Sequence, residues 1–151
     1  MNSFYSDLKR GKTGEEKFKH FVEAKGYEVE DLSYNRIYQQ KGIDFRIKKG
    51  TKELFVEVKT DYRMHKTGNI LLELEDGSRT GWARKTEADI VFYINSAAGV
   101  AYVLDWSSCR AQISNLRCGR FYVDGGKQMV GAFLPVAELN NLSIIHDVVN
   151  V

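Results

Sequence analysis

The sequence predicts an α/β domain. Three observations carry that expectation. An amphipathic helical stretch lies near the N-terminus, two alternating apolar–polar runs are joined by a tight-turn signal, and short β-rich runs recur through the rest of the chain. The 151 residues fit one domain over 1–151, since at about 150 residues roughly two-thirds of the unfolded chain's surface is buried on folding. The composition, 43% hydrophobic and 28% charged, excludes a disordered chain. Pro135 is the single proline and no stretch reads as a linker.

The first element spans Gly14 to Lys25. Thr13 is its expected N-cap, with Glu15 and Glu16 in the first turn, where the helix dipole favours carboxylates. Phe18, Phe21 and Val22 form an apolar stripe, and Gly26 is the expected C′ residue. Glu15 precedes Phe18 by three residues and Val22 by seven, so it shares the buried face, whereas Glu16 sides with His20 and Glu23 toward water. A short strand is expected over Tyr27 to Leu32.

The hairpin follows. Ile43 to Lys48 alternates apolar and polar residues, as does Leu54 to Lys59, with Lys49-Gly50-Thr51-Lys52 as the turn. A turn centred on Gly50-Thr51 pairs Ile47 with Leu54, Phe45 with Val56 and Ile43 with Val58, giving one continuous apolar face. On the other face Asp44 falls opposite Glu57, with Lys59 two residues further along. Opposed side chains have Cβ atoms roughly 4.5–5.5 Å apart, so two carboxylates and a lysine are expected to converge.

Further strands are expected over Asn69–Leu74, Ile90–Ile94, Val100–Trp106 and Gln128–Leu134. Asp76-Gly77-Ser78 reads as a turn, Thr80–Glu87 as a short helix or loop, and Val136–Leu139 as a helical turn. Ser107 is the expected cap of a helix running to about Leu116. Nothing in the sequence approaches the roughly 20 apolar residues of a membrane helix, and the N-terminus lacks a signal-peptide pattern. Cys109 and Cys118 form no CxxC pair, so neither a disulfide framework nor a zinc site is expected. Cytoplasm is the expected compartment, with no membrane partner.

Two carboxylates this close repel unless a cation lies between them. A hard cation such as Mg²⁺ takes oxygen ligands and keeps several waters. It lowers the pKa of a bound water and stabilises charge on a phosphoryl oxygen. Lys59 would orient that water or stabilise developing negative charge. The competing reading of the same spacing is a surface ion cluster in which Lys59 neutralises Asp44 and Glu57.

Gly42-Ile43-Asp44, a twelve-residue gap and then Glu57-Val58-Lys59 resembles the signature of the PD-(D/E)XK nuclease superfamily, and Gly14-Glu15 resembles the acidic helix that precedes it in many members. Ile43 stands where the family name has proline. The resemblance covers about residues 10–106 and leaves 107–151 as a C-terminal extension. It implies a restriction-endonuclease-like core, a central mixed sheet of about five strands flanked by helices. It further implies metal binding by Asp44, Glu57 and the Val58 backbone carbonyl, water activation by Lys59, and a second metal or its water shell at Glu15. Mg²⁺ is the implied ion, with Mn²⁺ able to substitute. The implied reaction is phosphodiester hydrolysis, most often in DNA, and the overall pattern is similar to small phage-encoded or junction-resolvase-like members acting on nucleoid or phage DNA. A homodimer would supply two sites for two strands.

The basic side is the N-terminal part, where residues 1–85 hold 18 Lys and Arg against 14 Asp and Glu and 86–151 hold 4 against 6; this fits either nucleic-acid contact there or an ordinary solvated face. Candidate phosphate contacts are Lys12, Arg63, His65, Lys66, Arg84 and Lys85, with Lys9, Arg10, Lys17 and Lys19 near the first helix. Tyr62 and Trp82 are candidates to stack on bases, Trp82 being equally a core candidate. Tyr34 to Gln40 either lines the cleft or packs on the sheet. The alternative function is a catalytically inactive nucleic-acid-binding or protein-interaction module on the same fold.

Overall fold

The apolar positions sort the chain into three layers. The computed structural model describes the backbone of residues 3–151 and the side chains of residues 11–151 except that of Asp124. In chain order the elements are α1 (Ser3–Ala24), β1 (Glu28–Asp31), α2 (Arg36–Gln40), β2 (Phe45–Lys49), β3 (Lys52–Asp61), α3 (Met64–Thr67) and β4 (Asn69–Asp76). There follow β5 (Arg79–Thr80), α4 (Trp82–Lys85), β6 (Ile90–Asn95), β7 (Val100–Asp105), α5 (Trp106–Arg110), β8 (Arg117–Val123), β9 (Lys127–Pro135) and β10 (His146–Asn150). The protein is mixed α/β. A six-stranded mixed sheet has the order β1-β2-β3-β6-β7-β10, and a four-stranded antiparallel sheet the order β5-β4-β9-β8. Among the described strands only β3 and β6 run parallel, and the segment between them forms the crossover. No described helix is long and apolar enough to cross a membrane.

Two apolar clusters lie on opposite faces of the larger sheet. Phe18 and Val22 of α1 pack on Phe45, Val56, Val58, Phe92 and Ile94. On the other face Val91, Tyr93 and Leu104 pack against Ile70, Leu72 and Leu134 of the smaller sheet. The alternation of β6 feeds both, with Phe92 and Ile94 toward the helix and Val91 and Tyr93 toward the second sheet.

The hairpin pairs Phe45 with Val56 and Ile47 with Leu54, the register expected from the sequence. The ladder stops there, so the expected Asp44–Glu57 and Ile43–Val58 pairs do not form. Gly42 takes a left-handed backbone, with φ 64°, and comes so close to Thr86 that a Cβ would lie 3.0 Å from the Thr86 Cα. The Thr86 hydroxyl donates to the Gly42 carbonyl at 2.7 Å. This clamp turns the chain before β2, and Ile43 packs with Leu32 and Ala88 instead.

Other departures have local causes. The first helix begins at Ser3, so Thr13 is interior and not a cap, and Glu15 does not sit in the first turn. Its C-terminal end is as expected: Gly26 N–H donates to the Glu23 carbonyl and Tyr27 N–H to that of Val22, the paired bonds of a Schellman ending. Tyr34–Gln40 contains helix α2, whose N-cap is Asn35. Tyr38 packs on Phe55 with ring centroids 5.6 Å apart. Asp105 caps α5 in place of Ser107, and that helix ends at Arg110. The runs at 69–74 and 128–134 pair with each other as β4 and β9 in the smaller sheet, while β10 raises the larger one to six strands.

Gly14 allows α1 its close approach. A Cβ there would overlap the Thr60 hydroxyl and sit 3.4 Å from Ile94 Cδ1. Gly14→Ala gains about 0.5–1 kcal/mol of helix propensity but meets an overpacking cost of about 1–3 kcal/mol. A net loss of roughly 1 kcal/mol is expected in urea unfolding, and adding Thr60→Ala should recover most of it. A stabilised single variant would mean that α1 does not touch β3 at this point.

Candidate active site

The parallel pairing of β3 with β6 leaves the C-terminal half of β3 at the rim of a cleft. Thr60 and Val58 there point to the α1 side, and Glu57 and Lys59 to the other. A cavity of about 370 Å³ is lined by Gly11, Glu15, Asp44, Val58, Lys59, Thr60 and Tyr62. Residues from α1, from the turn before β2 and from β3 thus meet in one place. The Asp44 side chain is held by the backbone of β3, its Oδ2 accepting from the Val58 N–H at 2.8 Å. The ladder ends at Phe45, so Asp44 and Glu57 are not a ladder pair; Asp44 lines this cavity with Glu15, and its charge still raises the Glu57 carboxyl.

Glu57 is nearly inaccessible, and its Oε1 lies 3.0 Å from Lys59 Nζ. The Lys59 ammonium also lies 5.6 Å from the centre of the Trp82 ring. Lys59 lines a second cavity of about 390 Å³ together with Asp61, Tyr62, Arg63, Leu71, Glu73, Trp82 and Tyr93. The two cavities share Lys59, Thr60 and Tyr62 as a common wall.

Burial dominates the electrostatics. It pushes the Glu15 carboxyl from 4.5 up to about 7, helped by Asp44 and Asp31 and opposed by Lys12 and Lys59. Glu57 also rises from 4.5 to about 7 through burial, with Lys59 pulling it down and Asp44 raising it. Asp44 is raised by burial against the Val58 N–H and Lys59. Burial works against the Lys59 charge, but Glu57, Asp44 and Glu73 outweigh it and hold the ammonium above its ordinary value. Glu73, on β4, is raised by burial and faces Lys59 from the second sheet. Sequence reading missed it. Its signal is its place among the buried Ile70, Leu72 and Leu74, but the sheet that turns it toward Lys59 forms with residues far along the chain.

The basic candidates divide. Lys12, Arg63, His65, Lys66 and Lys85 are exposed. Arg63 stands at the N-terminal end of α3, which contains His65 and Lys66, and Lys85 lowers the Glu57 pKa. Arg84 lies 3.8 Å from Glu75. Trp82 packs against Trp106 at 5.5 Å and Tyr93 at 6.3 Å, which gives it a core role. Lys9 and Arg10 fall outside the described side chains. Cys109 is buried and Cys118 exposed, both as free thiols.

Among the described residues no three His, Cys, Asp or Glu groups stand together closely enough to hold a metal ion by themselves. The donors facing the first cavity, two carboxylates beside the Val58 segment, nevertheless suit a hard cation that keeps most of its waters, since Mg²⁺ is commonly held by one or two carboxylates. Comparison of the chain with protein-family models, with curated proteins and with solved structures finds no match in any of the three.

The raised carboxyls set a pH dependence. With folded pKa values near 7 against 4.5 when free, the protonated forms of Glu15 and Glu57 are favoured by folding. Their contribution is fully present below about pH 4.5 and is lost as pH rises through 7. The melting temperature in EDTA should therefore fall between pH 5 and pH 8 by more in wild type than in Glu57→Gln. A parallel fall in both proteins would remove Glu57 as a source.

Proposed function

We propose that this protein is a divalent-metal-dependent nuclease that hydrolyses phosphodiester bonds in DNA, on a restriction-endonuclease-like core of the PD-(D/E)XK type. The observation that carries the reading is the meeting of Glu15, Asp44 and Lys59 around one cavity, with Glu57 holding Lys59 from behind. The topology supports it as well: an antiparallel β1-β2-β3 meander, β6 parallel to β3, and α1 on one face. One departure is that the β3–β6 connection carries β4, β5 and two four-residue helices rather than one long helix.

In this reading Asp44 and the Val58 carbonyl would hold Mg²⁺, with Mn²⁺ able to replace it, and Glu15 would contact its water shell; Glu57, a metal ligand on the sequence reading, does not line this cavity and is paired with Lys59 instead. The chemistry such an ion would supply when bound is Lewis acidity, which would lower the pKa of a water and stabilise charge on the phosphate. Lys59, held in place by Glu57, donates a hydrogen bond to the attacking water or to the phosphoryl oxygen that gains charge. The water oxygen bonds to phosphorus as the bond to the leaving sugar oxygen breaks. Glu15 lines the same cavity and would take the proton that the water loses, and the leaving oxygen takes one from solvent. Exposed Lys12, Arg63, His65, Lys66 and Lys85 hold the flanking phosphates.

Cleavage of supercoiled, linear, single-stranded and four-way-junction DNA in Mg²⁺, Mn²⁺ and EDTA tests the proposal. Metal-dependent cutting is expected, reduced on the order of 10²–10³-fold by Lys59→Ala, the size typical of losing one preorganised charge-stabilising donor, and at least as strongly by Asp44→Ala. No cutting with any metal, or cutting that survives both substitutions, would leave the fold as a module that binds without hydrolysing.

A further inference from the structure

A groove continues from the cleft across the outer face of the smaller sheet. The cavity that contains Glu73 and a third one of about 450 Å³ share Asp61, Arg63 and Leu71 as walls. The third cavity is floored by Phe121 and Phe133 and edged by Arg117. Its floor exists because Gly119 and Gly131 face each other across β8 and β9. A Cβ on Gly119 would lie 2.9 Å from the Phe133 ring, and one on Gly131 would lie 2.6 Å from Leu71 Cδ1 and 3.3 Å from the Phe121 ring. The rings occupy space that side chains at these two positions would otherwise take.

Its charges face the groove. The Arg117 guanidinium lies 5.1 Å from the centre of the Phe133 ring. Among the described residues no ion pair involves Arg63 or Arg117. Asp61, the carboxylate on this wall, already accepts from the Tyr93 hydroxyl at 2.5 Å and from the N–H groups of Arg63 and Met64 at 2.7 and 2.9 Å. An aromatic floor with two available arginines suits a flat ring carried on a phosphate chain. Phe121, Phe133, Leu71 and Met64 give the cavity an apolar surface, with Thr67 and Asn69 among its lining, so recognition there would be mainly by stacking, which tolerates any base.

We infer that this cavity takes one unpaired base of the substrate, stacked on Phe121 and Phe133, while Arg63 and Arg117 hold the adjoining phosphates. The inference rests on the nuclease reading and narrows its substrate to nucleic acid with a single-stranded stretch beside the scissile bond, since a paired base must first leave its stack to enter such a pocket.

Fluorescence anisotropy in EDTA, on the full chain, separates this idea from the one it rests on. The probes are a short fluorescein-labelled oligothymidylate and a labelled duplex of the same length. Phe133→Leu and Phe121→Leu keep apolar volume but remove the ring. Each should weaken single-strand binding about tenfold, the size of one base–aromatic stack, and leave duplex binding unchanged. Arg117→Ala should reduce the salt slope on the single strand by about one. Equal losses on both probes, or leucine variants that bind as wild type while Mg²⁺-dependent cutting persists, would overturn the base pocket alone. Failure of wild type to bind either probe would overturn the nuclease reading with it. A concentration-dependent dimer in sedimentation that Phe133→Leu dissociates would assign this face to a second copy of the chain and overturn the base pocket.

Discussion

Strand β3 has a hydrogen-bonded neighbour on each edge and a packed layer against each face, so the side chains from Val56 to Lys59 enter a protein environment. Alternation along the strand divides them. Val56 and Val58 fill the layer under α1, while Glu57 and Lys59 go to the opposite side. A carboxylate buried alone costs several kcal/mol, so Glu57 is kept with the ammonium of Lys59. Lysine is ordinarily the most mobile of side chains. Here Glu57 holds its tip, Trp82 lies beside it, and Glu73 acts on it from the second sheet. The placement of Lys59 is therefore a consequence of the strand's confinement.

The same confinement explains what could be read from the sequence. A period of two on two adjacent runs, with a turn of fixed centre, leaves one register that buries a single face, and Phe45–Val56 and Ile47–Leu54 pair in it. The 3.6-residue stripe of Phe18 and Val22 likewise placed Glu15 inward, beside Asp44. The end of the ladder was not legible, because Gly42 turns the chain only by meeting Thr86, 44 residues away. The smaller sheet was hidden for a related reason. Its central pair β4 and β9 joins Asn69 to Pro135, and its outer strand β8 is half-exposed with no clean apolar alternation. Glu73 was lost with that sheet, since nothing local says which layer it faces.

The first cavity gathers charge that would not assemble unaided. Burial is the largest cause of the raised Glu15 and Glu57 carboxyls; Asp44 adds to both and Asp31 to Glu15, with Lys59 opposing in both cases. Repulsion of this sign tends to push α1 off the sheet. The apolar layer resists it: complete burial of a side chain such as Phe18 or Val22 contributes about 1.5–3 kcal/mol, and both are almost fully buried. Gly14 lets the backbone of α1 come down onto Thr60 and so sets the depth at which Glu15 enters. Packing thus supplies the rigidity, and the carboxylates are positioned before any ligand arrives.

Asp61 ties this machinery to the C-terminal part of the chain. It follows Lys59 by two residues, and one of its oxygens accepts from the backbone of Arg63 and Met64, which shapes the turn into α3. The other accepts from the Tyr93 hydroxyl, and that hydroxyl in turn accepts from the Leu71 N–H of β4. One carboxylate therefore couples the strand bearing Lys59 to the smaller sheet, and β4 rests there on β9 and, through it, on β8. Residues 107–151 supply β8, β9 and the edge strand β10, so they form part of the frame around the cleft rather than an appendage to it. On the proposed function, a substrate leaving the catalytic cavity past Tyr62 meets a surface built from both halves of the sequence. Changes in the smaller sheet should then alter how nucleic acid is held, while the chemistry stays with β3.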